Sequence, residues 1–277
     1  MNRLPQISIV MPSYNQGRFL TNALESLASQ SYPHLEVIVV DGGSSDGTVQ
    51  LLEQSPVVSH WLSEPDEGQT QALNKGFRLA TGEVFGWLNC DERYRPGALW
   101  KVGEAFAQDR DLDLVFGHRI VVDQEGRELK RLRQPALHPK YYALYASGLL
   151  FSDATFWKAD LHRRTGELDE VVCRRFSMDF DWFARLSLNL RRWRRLDAYL
   201  SEFIEHEGRV TLHVPELPEI HQLIKARLFK MARIKSWQAL LLCPLFLFLT
   251  RFHRLGWQGF WRPPGVATIF RITGWIK

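Results

Sequence analysis

The chain is poor in cysteine. Cys90, Cys173 and Cys243 are odd in number, far apart and without a CxxC spacing, which argues against a disulfide framework or a zinc cluster and makes a reducing compartment the expectation. The start, Met1-Asn2-Arg3-Leu4-Pro5-Gln6, runs straight into Ile7 to Met11. That stretch lacks the apolar length and small-residue cleavage site of a signal peptide. There is no internal repeat and no low-complexity tract. Gly and Pro are scattered and aromatics reach 12%, so a disordered chain is not expected either.

A third scarcity is local. Residues 221 to 277 contain no Asp or Glu but ten Lys or Arg, so the formal net charge of +4 divides into −6 for residues 1 to 220 and +10 for the remainder. An acidic body joined to a cationic tail points to an anionic surface as the partner of the tail. Within the tail, residues 236 to 250 carry no charge, and Ala239 to Leu249 is almost wholly aliphatic or aromatic. This falls short of the roughly 20 residues a spanning helix needs, and Pro244 would break or kink one. With basic flanks and Trp237, Trp257, Trp261 and Trp275 nearby, the segment suits the interface of an anionic membrane, lying on it or re-entering it. A helix packed on the body and a complete span are the alternatives. The apolar run between the charges argues for lipid rather than nucleic acid.

What the first hundred residues have is alternation. Strand patterns at Ile7 to Val10, Glu36 to Val40, Val57 to Leu62 and Val84 to Leu88 are separated by helical patterns at Arg18 to Gln30, Thr48 to Gln54 and Gln69 to Ala80. This predicts an α/β fold with a Rossmann-like, mostly parallel central sheet flanked by helices and a ligand at the carboxyl ends of the strands. Further on, a helix is expected over Pro96 to Gln108, a strand over Leu112 to Phe116, and a hairpin from Arg119 to Leu132 around Gln124-Glu125-Gly126. A second helix is expected from Phe180 to Leu190 and a basic strand or turn over Arg191 to Leu196. Pro215 and Pro218 mark the expected end of the body. The expected division is residues 1–214 as one domain, with halves 1–95 and 96–214, and 215–277 as a helical, membrane-associating appendage.

Four loops follow the predicted strands of the first half. Met11 to Asn15 carries Tyr14, whose ring can stack on a base. Val40 to Thr48 carries glycines that allow close backbone approach and Asp41, placed to hydrogen-bond a base or ribose. It has neither the GxGxxG spacing nor the Gly-Lys-Ser/Thr ending of a P-loop. Ser63 to Gly68 is the third. The fourth presents Asn89, Asp91 and Glu92 together, oxygen donors suited to Mn²⁺ or Mg²⁺ bridging to diphosphate.

The motifs Ser13-Tyr14-Asn15, Val40 to Thr48, Glu64-Pro65-Asp66-Glu67-Gly68, Asn74-Lys75-Gly76, Ala80-Thr81-Gly82-Glu83 and Asn89-Cys90-Asp91-Glu92 resemble, in order and spacing, the family 2 glycosyltransferases of the GT-A fold. Ala154 to Trp157, Gly166 to Glu170 and Met178 to Leu186 resemble the acceptor half of the same family, so the likeness spans roughly residues 5 to 212. It implies an inverting hexosyltransferase that moves sugar from a nucleotide diphosphate sugar, UDP being the commonest carrier; with the cationic tail, the expected acceptor is a lipid-linked or cell-envelope glycan at the cytoplasmic face of a membrane. By matched position, Pro12, Tyr14 and Asp41 would hold the nucleobase and ribose, and Asp66 would support the nucleotide. Asn15, Asn74, Lys75 and Asn89 join the donor-binding candidates. Asp91 would be the principal metal ligand, with Glu92 and His206 as further candidates. Asp179 matches the catalytic base, with Asp181 as its rival.

The sequence also departs from the family pattern. Asn-Cys-Asp replaces Asp-x-Asp in the metal motif, and Met178 stands where an acidic residue often precedes the base. A catalytically degenerate nucleotide-sugar or glycan binder is therefore the alternative reading. The Gln-x-x-Arg-Trp motif of processive synthases is absent, which favours addition of a single sugar.

Overall fold

The structure is a computed structural model that describes residues 3–134, 150–171, 173, 177–206 and 217–232. In chain order the first elements are β1 (Ile7–Ser13), α1 (Gly17–Ala28), β2 (Leu35–Asp41), α2 (Thr48–Gln54), β3 (His60–Ser63), α3 (Gln69–Leu79) and β4 (Val84–Trp87). Then come β5 (Glu92–Tyr94), α4 (Ala98–Gln108), β6 (Leu114–Val122) and β7 (Glu128–Leu132), followed by β8 (Thr155–Lys158), α5 (Ala159–Thr165), α6 (Met178–Leu188), β9 (Trp193–Ile204) and α7 (Leu217–Met231).

The strands form one sheet in the order β3-β2-β1-β4-β8-β6-β9-β5, with β7 paired to β6. β1 runs parallel to both β2 and β4, and β2 parallel to β3. β8 is antiparallel to β4 and β6, whereas β6 and β9 are again parallel. Strands β1 to β4 are thus parallel throughout, whereas β5 to β9 pair in a mixed arrangement.

Side chains of β1 alternate between two cores, as the period of two requires. Ile7, Ile9 and Met11 join Phe19, Leu20, Leu24 and Leu27 of α1 and Leu99, Val102 and Phe106 of α4 on one face. Val10 points to the other, with Leu73 and Phe77 of α3, Trp157 of β8 and Phe180, Trp182 and Phe183 of α6. Burying each such large side chain contributes about 1.5–3 kcal/mol, so both faces of the sheet are covered by helices and the strands read as continuous apolar runs.

Three expectations change. The basic strand or turn expected at 191–196 is the start of the twelve-residue strand β9, whose Leu200 and Ile204 are buried; the arginines of its first half mask its strand character. Glu92, read as part of a loop, begins β5, which pairs antiparallel with β9. The packed body also continues past residue 214, because α7 buries Ile224 and Leu228 in the same core as α6. Proline at its second position, Pro218, is compatible with a helix start, where its missing N–H has no intrahelical partner to lose. No helix among the described residues is long and apolar enough to cross a membrane. The 236–250 segment lies outside the described residues.

Gly76 marks the closest approach of α3 to the sheet: a Cβ there would meet Val10 Cγ1 at 2.3 Å. Gly76→Ala is expected to destabilise the fold by about 1–3 kcal/mol through overpacking, read as a lower urea midpoint; an unchanged midpoint would show that this contact yields freely.

Candidate active site

The order of the strands creates the site. The chain moves outward from β1 to β2 and β3, then returns to place β4 on the other side of β1. The loops after these four parallel strands therefore open at one edge, around the switch point where open α/β sheets bind ligands.

The first two loops are laced together. Asn15, in the left-handed region at φ 52°, donates its backbone N–H to Ser44 Oγ (2.7 Å) and accepts from the Ser45 N–H at its side-chain oxygen (3.0 Å). Asp46 accepts from the Gly17 N–H at the start of α1 (2.8 Å) and from the Thr48 hydroxyl (2.6 Å). Partial desolvation opposes ionisation, but these hydrogen bonds outweigh that and hold its pKa below the ordinary value. Asp41 is completely buried, and its Oδ2 accepts from the Gly43 and Ser44 N–H groups and the Ser63 hydroxyl. The residue expected to bind base or ribose is thus the knot of its own loop, and a ligand would have to displace one of these donors. Pro12 is likewise buried, within β1. Tyr14, by contrast, is 63% exposed, its ring available for stacking.

The third loop lies against the second. A Cβ on Gly42 would meet Asp66 Oδ2 at 3.0 Å, so glycine is what lets Asp66 approach; the Asp66 carboxylate also accepts from the Gly68 N–H (2.8 Å). Lys75 is paired with Glu64 at 2.6 Å. Asn74, expected among the donor-binding residues, is 1% exposed, exchanges two hydrogen bonds with the backbone of Leu168 and donates another to Glu170, so its amide ties α3 to the 166–170 segment.

In the fourth loop, Asn89 Oδ1 accepts from Gln69 Nε2 and Trp87 Nε1, both at 2.8 Å. Asn89 therefore fixes the loop with the group that would otherwise face a ligand. Cys90 is buried, donates to the Pro12 carbonyl, and has its thiol pushed up to about 12 by burial, which makes it unreactive. Glu92 is 1% exposed and accepts the Asn89 N–H at 2.9 Å. Burial, then the nearby Asp153 and Asp91 carboxylates, raise its pKa well above 4.5. In this structure it buttresses the loop from beneath.

Asp91 remains at the loop's outer side. Its Oδ2 lies 3.0 Å from Nε2 of His206, which β9 delivers from 115 residues away. The His206 ring packs on Phe19 at 4.6 Å between centroids, and its buried Nδ1 has no hydrogen-bond partner among the described residues. A carboxylate oxygen and an imidazole nitrogen that converge at 3.0 Å fit the chemistry of a divalent-cation site completed by diphosphate and water. No group of three acidic, His or Cys side chains among the described residues forms such a site by itself.

The acceptor half separates the two base candidates. Asp181 is fully buried and bonded to Arg185 at 2.7 Å, and Arg185 also donates to the carbonyls of Thr165 and Glu167. Asp179, in the first turn of α6, is only half-buried, with one oxygen accepting the Phe180 N–H. Phe19, Gln69, Arg185 and Arg227 were not legible as site-supporting residues. The one signal available was the Asp181/Arg185 spacing of four on a helix.

Comparison with known proteins bears on family and fold. The family model described as glycosyl transferase family 2 matches residues 8–184. An uncharacterized glycosyltransferase of Nostoc sp. is 31% identical over 139 residues, 47% of this chain and 43% of the relative. The chondroitin synthase of Escherichia coli is 30% identical over 130 residues, 46% of this chain and 19% of that enzyme. The chain therefore spans less than half the length of these two relatives. The crystal structure of S. aureus TarS 1-349 in complex with UDP-GlcNAc superposes with a TM-score of 0.67 at 20% identity, covering 87% of this chain and 71% of that one, which shows the shared GT-A fold.

The buttress role of Glu92 is testable. Glu92→Gln keeps an acceptor for the Asn89 N–H and is expected to fold normally, whereas Glu92→Ala leaves that donor unsatisfied and should cost about 1–3 kcal/mol. Because the folded pKa is raised, the parent loses stability as pH climbs from 4.5 toward the folded value. Glu92→Gln should therefore gain on the parent over that range in denaturant titrations. Equal losses for both variants at every pH would contradict the assignment.

Proposed function

The chain belongs to glycosyl transferase family 2, and on that premise we propose that it transfers one sugar, with inversion, from a UDP-linked donor to a hydroxyl of a lipid-linked or cell-envelope glycan. The observation that carries this reading is the Asp91–His206 pair at 3.0 Å, set beside the loops after β1 to β4. UDP is the proposed carrier because the GT-A neighbour TarS was crystallised with UDP-GlcNAc.

In this mechanism Tyr14 stacks on the base and Asp66, resting on Gly42, supports the nucleotide. Pro12, Asp41 and Asn89 shape the pocket from behind. Asp179 accepts the proton of the acceptor hydroxyl as its oxygen bonds to the anomeric carbon and the bond from that carbon to the diphosphate oxygen breaks. Asp91 and His206 would hold Mn²⁺ or Mg²⁺, whose chemistry is to neutralise charge on the departing diphosphate. Asp181, locked to Arg185, is assigned to structure.

The test is UDP release from a panel of UDP-sugars with Mn²⁺. Asp179→Asn is expected to lower turnover by about 10²–10⁴-fold, and Asp91→Ala by about 10²-fold or more. Turnover equal to the parent in both variants would refute the enzyme reading. Saturable UDP-sugar binding with no turnover in the parent would instead favour the degenerate binder that Asn89 and Met178 suggest.

We further propose that residues 221–277 attach the enzyme to the inner face of an anionic membrane. The support is compositional: ten cations, no acid, and an uncharged stretch at 236–250. Each Lys or Arg near such a surface contributes about 1 kcal/mol. Because α7 is packed into the body, the informative truncation is after Ala232, and it should shift the protein from the membrane pellet to the supernatant. Unchanged pelleting would overturn the attachment.

A further inference from the structure

The segment Gly166 to Glu170 is fastened from three sides. Asn74 of α3 bonds the Leu168 backbone and Glu170, and Arg78 of α3 pairs with Glu167. Trp182 Nε1 of α6 donates to the Gly166 carbonyl at 2.9 Å, and Arg185 of α6 donates to the Glu167 carbonyl at 2.9 Å. The third contact comes from α7, where an Arg227 guanidinium nitrogen lies 2.6 Å from Asp169 Oδ2 and 3.7 Å from Asp181 Oδ1.

Asp181 gives that contact its significance. Its Oδ2 is satisfied by Arg185, while its Oδ1, in a fully buried side chain, has no hydrogen-bond partner among the described residues. A buried carboxylate oxygen without a hydrogen bond is costly, and a second cation nearby offsets that cost. Arg227 is the guanidinium that faces it, and it bridges the first turn of α6 to the 166–170 segment. That first turn carries Asp179.

We propose that Arg227 is a positioning residue for the reaction: by bridging Asp169 and Asp181 it fixes the first turn of α6, and so makes α7, the helix that opens the basic tail, part of the catalytic body. The inference rests on Asp179 as the base. Its consequence is that displacement of α7 loosens the base while leaving the donor loops, which lie on β1 to β4, unchanged.

The experiment compares full-length Arg227→Met, which keeps the stem packing without the charge, and Arg227→Lys, which keeps the charge, with the parent and with Asp179→Asn. Hydrogen exchange is followed across residues 178–182, together with UDP release from the UDP-sugar selected by the panel. Arg227→Met is expected to exchange faster at the first turn of α6 and to lose about tenfold in kcat with KM for the donor unchanged; Arg227→Lys should recover part of both. Parent-like exchange at 178–182 would overturn the proposal. So would faster exchange throughout the sheet, or a raised donor KM at constant kcat. If Asp179→Asn turns over like the parent, or no UDP-sugar is consumed, the functional reading fails and exchange at 178–182 alone decides whether Arg227 holds the turn.

Discussion

Everything at the candidate site depends on β1 being hydrogen-bonded in parallel on both sides, to β2 with Ser13 opposite Asp41 and to β4 with Val10 opposite Trp87. Parallel pairing aligns the carboxyl ends, so the loops carrying Tyr14, Asp41 and Asp91 must open at one edge. The requirement is strict because a parallel sheet must be covered on both faces. Here α1 and α4 cover one face while α3 and α6 cover the other. The close contact between Gly76 and Val10 shows how little space the second layer has.

Within that edge most polar side chains are turned against each other. Asp41, Asp46, Asn15, Asn89 and Glu92 all accept hydrogen bonds from backbone or side-chain donors of the loops around them. Loops rich in glycine and serine have little core to order them, and buried carboxylates with several donors supply that order. The tightly bonded residues fix the shape of the edge, while the Tyr14 ring is exposed and Asp66, Asp91 and Asp179 are only partly buried. The Asn-Cys-Asp departure fits this scheme. Asn89 uses its carbonyl oxygen to hold Gln69 and Trp87, Cys90 is an inert packing thiol, and Asp91 alone of the three pairs with His206.

The two halves are joined by the 166–170 segment rather than by the sheet alone. Asn74 and Arg78 reach it from the donor half, Trp182 and Arg185 from α6, and Arg227 from the basic tail. Helix α3, the helix that carries Asp179 and the first helix of the basic tail therefore share one polar junction, and a tail bound at a membrane would bear directly on α6.

The strand and helix alternation of residues 7–88 was legible because its signals are local: apolar runs for strands buried on both faces, a spacing of three to four for helices, and loops at each strand end. The helix over Thr48–Gln54 and the start of α3 at Gln69 follow from that pattern directly. The family motifs fixed the candidates Asp91, Asp179 and His206 in the same way, as residue types at particular positions. The sequence could not decide orientation and pairing. Whether Glu92 faces out or in, whether Asn74 meets a ligand or Leu168, and whether Asp179 or Asp181 is open to solvent depend on contacts across 3 to 115 residues of chain. Those contacts exist only once β5 has paired with β9 and α6 and α7 have packed. The basic composition of 221–277 is a property of sequence alone; the part that Arg227 plays inside the body belongs to the tertiary structure, because only packing brings it to Asp169 and Asp181.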